Sequence, residues 1–217
     1  MSALPKRKLP PNTTLKRDTA HWNPKNTTLV IVCEGKNTEP DYLCAFADDH
    51  QFLPDHLRII AGAGTPEKIV ERAVDEKNKL TKKRDQSMVY EIWAVFDRDE
   101  HPYIAQARNR AQVSGIHVAY SNPCIELWAL YHFVDHNAEL DRHSVQKLLK
   151  KHMNYDPDSD KKFAYEPMKK NYQTACQHAE NGLNKREAEG DPHGNPSTTL
   201  HYLTKRIIEL AQDKTTP

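Results

Sequence analysis

No apolar run in this 217-residue sequence approaches the roughly 18 residues that a membrane-spanning helix requires. Cysteine is scarce. Cys33, Cys44, Cys124 and Cys176 are scattered through apolar or helical stretches, which suits reduced packing thiols and neither a disulfide framework nor a zinc site. Excess charge of one sign is also missing, the formal net charge being +1, so composition gives no global argument for a polyanionic partner. There is no Walker-type or GxGxxG phosphate loop, and nucleotide hydrolysis by this chain alone is not expected. The first 25 residues carry Lys6, Arg7, Lys8, Lys16, Arg17 and Lys25 against Asp18 without the apolar stretch of a signal peptide. A cytoplasmic protein with no membrane partner is the default expectation.

What the chain does have is two short apolar runs that end abruptly in acid. Leu29-Val30-Ile31-Val32-Cys33 leads into Glu34-Gly35, and Ile92-Trp93-Ala94-Val95-Phe96 leads into Asp97-Arg98-Asp99-Glu100. Continuous apolar runs without polar alternation predict strands covered on both faces, the pattern of a parallel sheet. A carboxylate pays a large desolvation penalty in apolar surroundings, so Glu34, Asp97 and Asp99 belong at the lip of that sheet. Carboxylates crowded at neighbouring strand ends are best relieved by a hard cation with oxygen ligands, such as Mg²⁺.

The remaining pattern alternates strands and helices. Strands are expected at about Thr28–Glu34, Leu57–Ala61, Tyr90–Phe96 and Ile116–Tyr120. Between them fall a helix capped by Thr38, a second from Thr65-Pro66 to about Lys82, and a third opened by Pro102 and closed by Gly115. Such βαβ units indicate an α/β fold, a mostly parallel sheet flanked by helices. Asn122 is expected to cap a further helix with Pro123 as its first residue, placing Glu126 in the first turn at the carboxylate rim. There Glu126 either joins a metal site or complements the helix dipole. Helices at about Ser144–His152 and Tyr172–Glu189, and one capped by Ser197, make the C-terminal part a helical appendage. The expected division is a basic, disordered leader at 1–27, an α/β core at 28–134 and a helical region at 135–217 packed on that core. The leader could touch nucleic-acid phosphates or serve only as a solubilising tail.

Four motifs in order carry a family resemblance. Val32-Cys33-Glu34-Gly35-Lys36-Asn37-Thr38-Glu39-Pro40-Asp41-Tyr42, Phe96-Asp97-Arg98-Asp99-Glu100, Ser121-Asn122-Pro123-Cys124-Ile125-Glu126-Leu127-Trp128 with His132-Phe133, and Asn195-Pro196-Ser197-Thr198-Thr199 resemble the RloB-like proteins, whose core looks like a Toprim domain. That resemblance implies a glutamate general acid or base, Glu34, and a Mg²⁺- or Mn²⁺-binding pair, Asp97 and Asp99. It also implies a further carboxylate, Glu126, as in the nuclease branch of Toprim proteins. By the same resemblance the chain would be an antiphage effector, often found beside an AAA/ABC-type ATPase.

The reaction implied is metal-dependent phosphodiester hydrolysis of DNA or RNA, transfer RNA among the options. Lys36, Asn122, His132 and His193 are candidate substrate contacts. Each has a plainer role open to it: a solvated lysine, a capping asparagine, structural histidines. Two competitors stand beside the nuclease: a non-catalytic Toprim-like module that binds nucleic acid or docks on an ATPase, and a DxD nucleotide-sugar transferase, for which the chain is short. Oligomeric state is left open by the sequence.

Overall fold

The computed structural model describes residues 26–82, 88–98, 101, 103–157 and 164–215. The leader up to residue 25, together with Asp99, Glu100 and Pro102, lies outside the described residues. Five strands form one sheet: β1 (Thr27–Cys33), β2 (Leu57–Ile60), β3 (Val89–Asp97), β4 (His117–Asn122) and β5 (Ser197–Thr198), in the spatial order β2-β1-β3-β4-β5. All neighbours are parallel except β4 and β5, which run antiparallel. The chain is therefore α/β with a mostly parallel sheet, as the apolar runs predict.

Parallel strands need covered faces, and two separate apolar clusters supply the cover. On one face, α1 (Thr38–Asp49), α4 (Glu126–Tyr131), α5 (Arg142–Leu149), α7 (Tyr172–Ala188) and α8 (Leu200–Thr215) pack on Leu29, Ile31, Cys33, Trp93, Val95 and Ala119. On the other face, α2 (Pro66–Lys82) and α3 (Ile104–Val113) pack on Val30, Val32, Ile92, Ala94, Phe96 and Tyr120. The alternation of these residues between clusters is the period-two geometry of a strand. A short helix, α6 (Glu166–Lys169), adds buried Met168 to the first cluster. Among the described residues no helix is long and apolar enough to cross a membrane.

Four local expectations are corrected. Asn122 does not cap α4: it is the last residue of β4, pairs with Ser197 in the ladder, and precedes Pro123 through a cis peptide bond, while α4 starts at Glu126. Extended ladder backbone and a capping role four residues away are incompatible. Ser197 does not cap the last helix either, because it belongs to β5. The Oγ1 of Thr198 instead accepts the Leu200 N–H at 3.3 Å. The C-terminal region is thus not wholly helical, and it completes the sheet. Thr38 lies inside α1, with Asn37 at the capping position. All four cysteines are free, and Cys33, Cys124 and Cys176 are buried as packing residues, but Cys44 is exposed.

Candidate active site

The C-terminal ends of β1 and β3 lie side by side, with Cys33 opposite Val95. Just past them, the Glu34 N–H donates to the Val95 carbonyl at 3.0 Å, and the Asp97 N–H donates to Glu34 Oε2 at 3.1 Å. Glu34 thereby curls over the sheet lip onto the neighbouring strand. Its other oxygen, Oε1, faces His101 Nε2 at 3.6 Å, and its side chain is 22% exposed.

Asp97 has the parity of Trp93 and Val95 and turns toward the face covered by α1 and α4. It is 7% exposed. Burial drives its carboxyl well above the usual carboxylate range, the negative charges of Glu39, Glu126 and Glu34 add to that rise, and the Arg142 guanidinium opposes it. Arg142 Nη2 donates to Asp97 Oδ2 at 3.1 Å.

Glu39 is the site residue that sequence reasoning missed. It occupies the first turn of α1 and is 4% exposed. Burial raises its pKa, backbone N–H groups pull against that rise, and the charges of Glu34 and Glu126 push the same way as burial. The Gly35 N–H donates to Glu39 Oε1 at 3.2 Å. A Cβ at Gly35 would sit 2.2 Å from Glu39 Oε2, so only glycine lets the carboxylate approach the backbone here. The signal available in the sequence is Glu-Gly followed by an acid in the next helical turn.

Glu126, the fourth carboxylate, opens α4 and is also buried. Burial pushes its pKa up, but hydrogen bonds from Tyr155, Cys124, Gln146 and its own backbone outweigh that and hold it below the usual range. Tyr155 Oη and Gln146 Nε2 both donate to Glu126 Oε1, at 2.5 and 2.8 Å. It stays charged, and that charge raises the pKa values of Asp97 and Glu39.

The loop between α7 and β5 is stitched to this rim. The His193 carbonyl accepts from Arg98 Nη1 and from Asn122 Nδ2, each at 2.8 Å, and Asn195 exchanges hydrogen bonds with the backbone of Leu140. Asn122 therefore positions a loop. A cleft of about 680 Å³ has His101, Asn122, Glu139, Asp141, Arg142 and Asn195 in its walls, and Arg142 connects it to Asp97, which does not itself line it.

Of the other candidates, Lys36 is exposed at the lip with its stem over Gly62, where a Cβ would meet Lys36 Cγ at 2.9 Å. His132 does not reach the cleft surface. It is 2% exposed, Nδ1 bonds to the Trp128 carbonyl at 2.9 Å, and burial lowers its pKa to about 4. It is a core histidine and no substrate contact.

The structure thus brings Glu34, Asp97 and Glu126 together and adds Glu39. Asp99 lies outside the described residues. Among the described residues no group of three or more His, Cys, Asp or Glu side chains is arranged as a metal cage. Two of the carboxylates are instead turned toward protein donors, Asp97 to Arg142 and Glu126 to Gln146 and Tyr155. The donor set nonetheless fits a hard divalent cation: every group is a carboxylate, and burial with mutual repulsion raises the proton affinity of two of them.

Residues 29–207 match the family described as RloB-like protein. Neither a curated protein nor a solved structure matches the chain. The matched span contains all four carboxylates, and the chain therefore belongs to the RloB-like protein family.

Proposed function

We propose that this chain is a Mg²⁺- or Mn²⁺-dependent nuclease of Toprim-like chemistry. The observation that carries the proposal is the gathering of Glu34, Glu39, Asp97 and Glu126 from four different elements at one sheet lip, where burial and mutual repulsion oppose ionisation of Asp97 and Glu39. Asp97 and Glu39 so placed are costly as anions unless a cation uses them. Asp97 with Asp99, Glu34 and Glu126 would hold the metal, which when bound polarises the phosphate and favours ionisation of water.

The chain's own groups divide the remaining work. Glu34 is the least buried of the four, and its Oε2 is anchored by the Asp97 N–H, so Oε1 is the atom able to take a proton from attacking water. Glu39, set against the Gly35 backbone, is buried away from solvent and adds its carboxyl to the group. Arg142 neutralises Asp97 and borders the cleft, where a guanidinium suits a phosphate oxygen. A role in antiphage defence and an AAA/ABC-type ATPase partner are part of the same proposal and rest on the family resemblance.

A second reading is favoured by one observation. Arg142 and the Gln146–Tyr155 pair already satisfy Asp97 and Glu126, as they would in a scaffold that binds nucleic acid or an ATPase without cutting. Incubating the protein with plasmid, single-stranded DNA and total RNA, with Mg²⁺ or Mn²⁺, separates the two. Cleavage that disappears in Glu34→Ala and Asp97→Asn supports the nuclease, and binding without cleavage in every metal supports the scaffold.

A further inference from the structure

The sheet rim has an acidic face and a basic one. Asp97 turns toward α1 and α4, and Arg98 is the next residue along the chain, where strand alternation favours the opposite face. On that opposite face stand Tyr120, whose ring belongs to the cluster under α2 and α3, and Arg108 of α3, with its guanidinium carbon 5.1 Å from the Tyr120 ring centroid. Tyr120 Oη and His193 Nδ1 are 2.8 Å apart, and the His193 carbonyl accepts from Arg98. Arg98, Tyr120, Arg108 and His193 are thus linked contact by contact.

Among the described residues, positive charge outweighs negative in this group. Arg142, Arg186 and Arg206 each meet a carboxylate, but Arg98 and Arg108, both half-buried, pair with none among the described residues. Burial lowers the pKa of Arg108 and the positive charge of Arg98 adds to that, with Tyr120 opposing; burial, Arg108 and Arg98 lower that of His193, with Asp191 opposing. Asp191 is an acid that acts on both His193 and Tyr120. Half-buried guanidinium groups without a carboxylate partner are costly in a protein that binds nothing there and useful in one that receives an anion.

We propose that Arg98, Arg108 and His193 form a subsite for a backbone phosphate of nucleic acid, next to the phosphate that the carboxylates of the other face would process. The strand would cross the rim of β3 and β4, one phosphate on each side. This subsite rests on the nuclease reading but does not need metal.

Binding of a fluorescein-labelled single-stranded oligonucleotide, as DNA and as RNA, is measured by anisotropy in EDTA over a salt series. Arg108→Gln should weaken binding about threefold to tenfold and flatten the slope of log K against log salt by about 0.7 to 1, one phosphate contact. Arg108→Lys should restore most of the slope, and Arg110→Gln, an exposed arginine on the same helix, should leave it unchanged, with melting temperatures alike throughout. If Arg108→Gln behaves like Arg110→Gln while the wild-type protein binds, the subsite is overturned and the nuclease reading stands. If the wild-type protein binds neither oligonucleotide, the subsite is overturned, and the cleavage assay with Mg²⁺ or Mn²⁺ decides the nuclease reading separately.

Discussion

The Asp97 N–H donates to Glu34 Oε2 at 3.1 Å, a bond between residues 63 positions apart that draws a carboxylate over the edge of one strand onto the end of the next. Backbone fixes the first acid, and that acid's charge falls on Asp97 and Glu39. The electrostatic cost of this gathering is measurable.

Glu39→Gln keeps a carbonyl oxygen able to accept the Gly35 N–H but removes a buried charge facing Glu34, Glu126 and Asp97. In metal-free buffer it should stabilise the protein by about 1 kcal/mol, a rise in melting temperature of roughly 2–4 °C for a chain of this size. The same variant should gain less from added Mn²⁺ than the wild-type protein does. Thermal melts with and without Mn²⁺ check both halves.

Gly35→Ala places a Cβ at 2.2 Å from Glu39 Oε2. The carboxylate must move and lose its bond to the Gly35 N–H. A destabilisation of about 1–3 kcal/mol is expected, with loss of metal-dependent cleavage beyond what the stability change explains. Urea unfolding beside a cleavage assay measures the two separately.

Tyr155→Phe removes the donor at 2.5 Å from Glu126 Oε1. A hydrogen bond to a buried charge contributes about 1.5–3 kcal/mol, and its loss should let burial raise the Glu126 pKa. Stability near pH 7 should fall by that amount, and Glu126→Gln in the same background should recover part of it. Urea unfolding of the single and double variants reads the coupling.

Much of this architecture was legible in the sequence, for physical reasons that also explain the gaps. β1 and β3 are continuous apolar runs because both their faces are covered, and their terminal acids were visible as abrupt polarity changes. β5 is two residues long and exists only because β4 lies beside it, so no local pattern announces it. Asn122-Pro123 carries the composition of a helix start, and only the ladder pairing with Ser197 shows it to be a strand end. Glu39 looks like an ordinary acid of a first helical turn until the Gly35 contact is seen. Arg142 comes from a segment without a recognised motif, and His193 reaches Arg98 across 95 residues.

Acid should unfold the protein partly through two buried histidines. His132 and His201 are 2% and 0% exposed, and burial, helped at His201 by Lys205, lowers each pKa to about 4. A histidine near 6.5 when unfolded and about 4 when folded takes up its proton preferentially in the unfolded state. Its penalty is absent above about pH 6.5 and grows as pH falls through 4, reaching about 3 kcal/mol. His201→Leu should match or exceed wild-type stability at pH 7 and flatten the decline between pH 6.5 and 4, as read from urea midpoints across that range.

The most direct test of the account is Mn²⁺ binding by the purified protein, followed by electron paramagnetic resonance or calorimetry, with Asp97→Asn and Glu34→Gln alongside. The account predicts saturable binding to the wild-type chain that each substitution weakens at least tenfold while the fold is retained. Wild-type protein that takes up no Mn²⁺, or binding that both variants leave untouched, would contradict it.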